Sequence, residues 1–585
     1  MATDELMGWR RWVMGPRSLW LALAVGAGLS LPSLLGGLFI DDYFQHLVLE
    51  GDATMPPRGT FDLFTFATEP AEVAPMIAQG SYAWWTWPEL HLSFFRPLSS
   101  ALARFDHLAF GRALAWHHVH SVLWFLALVA VASALFRRAL TTPAVAGLAA
   151  VLFALDDVHM IPMAWLANRN ALVATTPVLL GLLAHLRWRE HGWRPGLPLS
   201  LLGYAAGLCG GESAVGALAY LAAYELTAGP GAWSHRVRAL IPVGVLGLGY
   251  LALTRSMGVA CVGSGVYLDP RQQPLEFLAN APGRMLAIVS TQVLAFPADA
   301  WLLLQSLRPM LVFGGVASLA LVAWLLRVVW PSLSQGDRRG ITWLGTGALL
   351  SLIPVAAAFP LTRLALMPSL GSAAVVAVIL RSSAARVGRA RWGAAVLALT
   401  NVVFPVVGWA AQYGVGGFAQ RTQLNQSLET RMTEAQLARR TMTFVAPDVM
   451  ASTYTPLVRR YFGRSAPEVW LTVSMARTEH RLTRTDERTF ELEVVGGRML
   501  DTVFEQLVRA PNIPLPLGTT VQLAGAQVTV TGLDEGLPNR LRIHLDDAVE
   551  TWTFAKWDDG VLAPLVLPAV GESIVLPRLP SVLTL

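Results

Sequence analysis

Apolar and polar positions fall into long blocks along this chain. Apolar runs near residues 18–40, 113–136, 142–156, 170–186, 197–210, 213–227, 239–254, 309–330, 341–359, 364–380 and 392–412 alternate with short polar stretches rich in arginine. A helix needs about 20 apolar residues to cross the hydrocarbon of a bilayer, so the pattern predicts about eleven transmembrane helices. Several runs are short, and 197–210 with 213–227 reads as a tight helical hairpin. The run 284–304 is interrupted by Pro297 and reads as interfacial or re-entrant.

Beyond 413 the period changes. Residues 420–440 are polar and helix-prone. Alternating segments follow at 469–473, 490–494, 521–523, 528–530 and 541–545, with Gly and Pro between them, and these read as strands. The prediction is an α-helical polytopic membrane domain at 1–412 and a soluble domain at 413–585. The latter is mixed α/β in its first half and β-rich in its second. Inside the membrane domain, 41–112 separates the first two runs by about 70 residues, too many for a mere connection.

Composition agrees with this picture. The chain is 54% hydrophobic and only 14% charged, against about 25% charged in soluble domains. Its net charge of +5 comes from arginines clustered between apolar runs, which is the mark of membrane topology and excludes a nucleic-acid partner. Arg10, Arg11 and Arg17, then Arg137-Arg138, Arg187, Arg189, Arg194, Arg236, Arg238, Arg338-Arg339, Arg381, Arg386, Arg389 and Arg391 share one side if eleven spans hold. The N-terminus is then cytoplasmic. The 41–112 loop and the C-terminal domain are external, periplasmic in a bacterial-type inner membrane. The first run lacks a small-residue cleavage site and reads as a retained helix. Cys209 and Cys261 make neither a disulfide framework nor a metal motif.

Candidate chemistry begins where the first run ends, at Asp41-Asp42-Tyr43-Phe44-Gln45-His46. A carboxylate at the lipid–water boundary can take a proton from an acceptor hydroxyl; an acidic pair can equally just end a helix outside the membrane. Tyr82, Trp84, Trp85 and Trp87 read as interfacial anchors, and Leu102–His107 as part of a helix lying on the membrane surface. Arg96, Arg169, Arg255 and Arg363 stand at predicted span ends, where a guanidinium can snorkel or bind phosphate in bidentate fashion. Glu212 lies in an apolar hairpin, where an ionisable group is costly. Asp156, Asp157 and His159, with the first acidic pair, offer oxygen ligands for a divalent cation, but no metal signature, phosphate loop or nucleophile elbow is present. Neither metal nor cofactor is expected. His117, His118 and His120 do not share one helix face.

Three segments, Asp41-Asp42-Tyr43, Phe95-Arg96-Pro97-Leu98-Ser99 and Trp116-His117-His118-Val119-His120, resemble the first third of the transmembrane O-mannosyltransferases that in animals carry tetratricopeptide repeats. These belong to the GT-C glycosyltransferase superfamily. Further matches follow in order: Leu155-Asp156-Asp157-Val158-His159 with Trp165 and Asn168-Arg169; Gly211-Glu212-Ser213-Ala214; and Thr362-Arg363-Leu364-Ala365-Leu366-Met367-Pro368-Ser369-Leu370-Gly371. The family's usual His-Pro is Asp156-Asp157 here, its Thr-Glu is Met160-Ile161, and the Lys before its hairpin glutamate is Gly211. The repeats are absent.

The resemblance implies a GT-C fold and a hexosyltransferase, more narrowly a mannosyltransferase. It implies sugar transfer with inversion from a polyisoprenyl-phosphate donor to a hydroxyl of a protein or glycan acceptor on the external face. Asp41 or Asp42 would be the base. Arg96, His159, Asn168, Arg169, Glu212 and Arg363 would bind the lipid phosphate or the sugar. Two other classes remain: a transporter or flippase for lipid-linked glycans, and a non-catalytic membrane scaffold for the external domain. Transport predicts internal repeats and polar groups deep in several spans. No repeat is visible and mid-span ionisable residues are sparse.

Overall fold

A computed structural model describes residues 17–383 and 388–580; Arg10, Arg11 and Arg386 lie outside them. All eleven apolar runs are helical, but among the described residues seven helices, not eleven, are long and apolar enough to cross a membrane. They are Ser18–Leu35, Leu114–Ala139, Leu166–His191, Trp233–Ser256, Gln305–Ser332, Thr362–Ser383 and Arg389–Leu428. An eighth is formed if Pro143–Leu155 and Asp157–Ala164, bent by 46° about Asp156, count as one broken span. Two of the missing runs are simply short. Gly196–Gly210 and Val215–Thr227 have 15 and 13 residues, and at about 1.5 Å per residue they fall short of a hydrocarbon core about 30 Å thick.

The run around Pro297 also differs from its expectation. A regular helix, Pro274–Leu294, starts before it and ends at Ala295, which takes a left-handed φ of +57°. Pro297 begins a separate short turn.

The helices sort by surroundings. Thr362–Ser383 is 78% buried over its apolar window, whereas Trp233–Ser256 is only 17% buried. Val245, Leu248, Leu251, Phe313 and Val407 all face outward. So large an apolar periphery exceeds what a water-soluble monomer exposes and suits acyl chains. Inside, Gly196–Gly210 lies tightly along Asn170–His191: a Cβ on Gly203 or Gly207 would come within 2.5 Å of the Pro177 carbonyl or 2.1 Å of Val178. Small residues at such spacing let two helix backbones meet.

The segment after the first span folds as a unit. It comprises the helices Asp41–Glu50, Pro70–Gln79 and Pro97–Phe110, and an antiparallel sheet of Thr65–Ala67, His91–Ser93 and Cys261–Val262. The C-terminal part holds two sheets. The first runs Val561–Pro564, Thr553–Asp558, Thr441–Val445, Trp470–Ser474, with parallel pairing around Thr441–Val445. The second is six-stranded and antiparallel, in the order Ser573–Leu576, His480–Arg484, Thr489–Val494, Leu537–Leu545, Ala526–Asp534, Thr520–Leu523. In Leu537–Leu545 the alternation is literal: Leu541, Ile543 and Leu545 point inward, while Arg540, Arg542 and His544 point outward.

These two regions share one core. Trp84, Trp85, Val73, Ile77 and Leu92 pack with Phe444, Phe490, Trp470 and Phe554, apart from the core of the long helices. The predicted anchoring role of Trp84 and Trp85 therefore gives way to another. Both are buried, and their indole N–H groups donate to the carbonyls of Val473 at 2.8 Å and Glu505 at 3.3 Å. Trp470–Ser474 is the edge strand of its sheet, and an open edge invites unwanted pairing. Here the 80–85 segment covers it. Gly80, at φ +83°, lies so close that a Cβ would stand 1.8 Å from the Trp470 carbonyl oxygen.

Candidate functional site

The turn before Asp41 is strained and held from several sides. Ile40, a β-branched residue, has φ +48° and ψ −111°, a conformation that costs about 1–3 kcal/mol and persists only when its surroundings fix it. Gln420 Nε2 donates to the Leu38 carbonyl at 2.8 Å, the Ile40 N–H donates to Gln423 Oε1 at 3.2 Å, and Trp165 Nε1 donates to the Phe39 carbonyl at 3.1 Å. Glutamines of the Arg389–Leu428 span and a tryptophan of the broken span thus set where the helix Asp41–Glu50 begins.

Successive residues on a helix are rotated by about 100°, which separates the acidic pair. Asp42 is 1% exposed. Its Oδ2 accepts from the Phe39 N–H at 3.0 Å and its Oδ1 from the Ala167 N–H at 2.8 Å. Burial pushes its pKa up to about 8, against the pull of those two hydrogen bonds. Each oxygen accepts one backbone hydrogen bond, so Asp42 joins two segments.

Asp41 is half-buried and lines a cavity of about 80 Å³ with Tyr82, Tyr454, Arg460, Glu468 and Trp470. Its Oδ1 accepts a 2.5 Å hydrogen bond from the Tyr454 hydroxyl. Burial raises its pKa, while Tyr454, Arg363 and Arg96 stabilise the charged form.

The predicted cations differ in how fully they are neutralised. Arg363 packs over Trp165 at 5.3 Å and forms no ion pair among the described residues. Arg96 rests on Phe94 and Phe64, at 4.5 and 4.9 Å, and pairs with Glu212 at 2.9 Å. Both cations act on the Asp41 carboxylate.

Arg169 is placed otherwise. It is buried, bound to Asp106 at 2.5 Å and to the His117 carbonyl at 3.2 Å. Asp106 also binds His120 Nδ1 at 2.6 Å. Arg169 is thus a structural tie between Asp106 and the His117 carbonyl.

His159 lies elsewhere, completely buried between Phe125 and Phe153, with Nδ1 against the Asp156 carbonyl at 2.9 Å. Asn168 ends the turn Leu166–Asn168 beside Ala167, and its Oδ1 is buried without a hydrogen bond. Asp156 and Asp157 are bound by Gln292 and Gln412, and no three His, Cys, Asp or Glu side chains among the described residues form a metal cluster. Arg255 is exposed at the end of its helix.

The structure therefore brings Asp41, Arg96, Glu212 and Arg363 together and sets Asp42, Arg169 and His159 into the frame around them. Sequence reading passed over Tyr454, Asp106, Gln420 and Gln423. Only Asp106, a carboxylate in a helix with few charged residues, carried a readable signal.

No family model matches the sequence, and no curated protein matches it. Two solved structures share a likeness. One is an oligosaccharyltransferase of Archaeoglobus fulgidus tethered with an acceptor peptide. It is 12% identical with a TM-score of 0.40, over 77% of this chain and 64% of that one. The other is ArnT of Cupriavidus metallidurans bound to undecaprenyl phosphate, 13% identical with a TM-score of 0.37, over 77% of this chain and 89% of that one. The chain thus spans less than two thirds of the oligosaccharyltransferase.

Proposed function

We propose that the chain is an integral membrane glycosyltransferase of GT-C type that moves a sugar from a polyisoprenyl-phosphate donor to an acceptor hydroxyl. The observation that carries this reading is one cavity-lining carboxylate, Asp41, whose charged form is favoured by two nearby guanidiniums, Arg363 and Arg96. A glycosyl phosphate needs that set: a base for the acceptor proton and cations for the departing phosphate.

The balance is simple. The acceptor oxygen bonds to the anomeric carbon as its proton passes to Asp41. The bond from that carbon to the phosphate oxygen breaks, and polyisoprenyl phosphate leaves against Arg363 and Arg96. Displacement from the opposite face inverts the anomeric centre. Glu212 limits the free charge on Arg96, leaving Arg363 as the principal phosphate ligand. The reading places the site on the external, periplasmic face, with a protein or glycan acceptor. A hexose, mannose in the first instance, is the sugar proposed from the resemblance.

The test uses the full chain in lipid nanodiscs, a panel of polyprenyl-phosphate-linked hexoses and pentoses, and release of polyprenyl phosphate as the readout. Release by the wild type, and its loss in Asp41→Asn and Arg363→Ala, is expected. Equal release by all three proteins would overturn the assignment. Glycan analysis of the envelope gives the cellular counterpart: intact glycosylation in Asp41→Asn leaves the scaffold reading standing.

A further inference from the structure

Tyr454 lies 413 residues from Asp41 in the chain, and its hydroxyl meets Asp41 Oδ1 at 2.5 Å. The segment carrying it is built for placement. Met450–Tyr454 forms a π-helical turn, wider than an α-turn by one residue and frequent at functional sites. Asp448 fixes its start, its Oδ1 accepting from the N–H groups of Met450 at 2.9 Å and Ala451 at 3.1 Å. The following helix, Thr455–Tyr461, packs on Asp41–Glu50, with the Tyr461 and Tyr43 rings 5.5 Å apart. The phenol stays protonated, because burial and the charge of Asp41 hold its pKa well above the ordinary value. It can therefore only donate to the carboxylate.

Asp41 Oδ2 accepts no hydrogen bond among the described residues. One oxygen of the carboxylate is held and the other is open, beside a cavity built jointly by the 41–82 region and the 453–470 region.

We propose that Tyr454 is a positioning residue for Asp41: the C-terminal domain holds one carboxylate oxygen so that the other receives the acceptor hydroxyl. This rests on the glycosyltransferase reading above. A free carboxylate rotates about its terminal torsion, and a proton acceptor must stand within hydrogen-bond reach of the proton it takes. The hydrogen bond to Oδ1 fixes that torsion and favours the ionised form. The other charged or titratable groups facing Asp41 or its cavity are Asp42 on its own helix, Tyr82, Arg96, Tyr267, Arg363, Arg460 and Glu468, and none of these donates to it a hydrogen bond of this kind.

The experiment compares wild type with Tyr454→Phe, which keeps the ring and its packing and removes only the hydroxyl. Two readouts are taken on the full chain in nanodiscs. The first is the pH midpoint at which a hydrophobic carbodiimide, which reacts with protonated carboxyls, labels the Asp41 peptide by mass spectrometry. The second is the acid limb of polyprenyl-phosphate release across the donor panel. In Tyr454→Phe the labelling midpoint should rise by roughly one pH unit, with the acid limb moving alongside it and kcat falling more than KM rises. An unchanged midpoint would overturn the proposal. A shifted midpoint in a protein whose wild type releases no polyprenyl phosphate would keep the Tyr454 contact and remove the transferase reading.

Discussion

The Ala167 N–H donates to Asp42 Oδ1 at 2.8 Å across 125 residues of sequence, so the residue next to the proposed base joins the first folded region to the start of the Leu166–His191 span. Asp42→Ala leaves two buried N–H groups without partners, those of Phe39 and Ala167. Each costs about 1–3 kcal/mol. Thermal unfolding in detergent should show a loss of about 2–5 kcal/mol, whereas Asp41→Asn should unfold like the wild type. Equal melting of the two variants would show that the pair is not divided in this way.

Arg169 and Arg363 should part company in the same manner. Arg169→Ala leaves Asp106 buried beside His120 without its main counter-charge, and loss of one partner of a buried pair costs about 3–5 kcal/mol. Arg363→Ala removes a guanidinium without an ion pair and should melt normally while losing donor binding. Isothermal titration with polyprenyl phosphate separates the two outcomes.

Activity should be lost as pH falls, and at a higher pH than for an ordinary carboxylate of pKa about 4. The sign follows from the chemistry. Burial raises the pKa of Asp41, a base works only when ionised, and protonation on the way down removes it. The acid limb of kcat/KM against pH reads this directly, and a limb at or below pH 4 would exclude Asp41 as the base.

Trp84→Ala should loosen the C-terminal sheets more than the membrane helices. The side chain is buried, and its N–H binds the edge strand through Val473. Removing a buried aromatic costs about 3–5 kcal/mol. Limited proteolysis should then cut within 440–580 while fragments carrying the long helices persist. Uniform protection would show that the edge is not held by this residue.

Much of this arrangement was legible in the sequence. Each apolar run is a helix, because an unbroken apolar block forces the backbone to satisfy its own hydrogen bonds. Period-two alternation located Trp470–Ser474, Thr489–Val494, Thr520–Leu523, Ala526–Asp534 and Leu537–Leu545. Other strands escaped. Thr441–Val445 is buried along its whole length, and a fully buried strand does not alternate. His480–Arg484 pairs through a polar face that reads as loop.

At the candidate site, the motif around Asp41 singled out an acidic pair but could not tell its two members apart. Which of two adjacent carboxylates faces a cavity depends on the strained turn at Ile40. That turn depends on Gln420 and Gln423, nearly four hundred residues away. Arg169 and Arg363 look alike as span-end arginines; only the folded chain reveals that one meets Asp106 and the other meets none. Tyr454 carries no motif at all, because its meaning lies in what it touches.

The sharing of one core between the 65–92 region and the sheets that follow the Arg389–Leu428 span has a consequence for biosynthesis. During vectorial synthesis the first region emerges early, with Trp84 and Trp85 exposed, and must wait for several hundred further residues before their partners exist. A ribosome-bound intermediate halted before residue 440 would hold its helices and its acidic pair yet lack Tyr454. In the interval those tryptophans are a natural target for a holding chaperone.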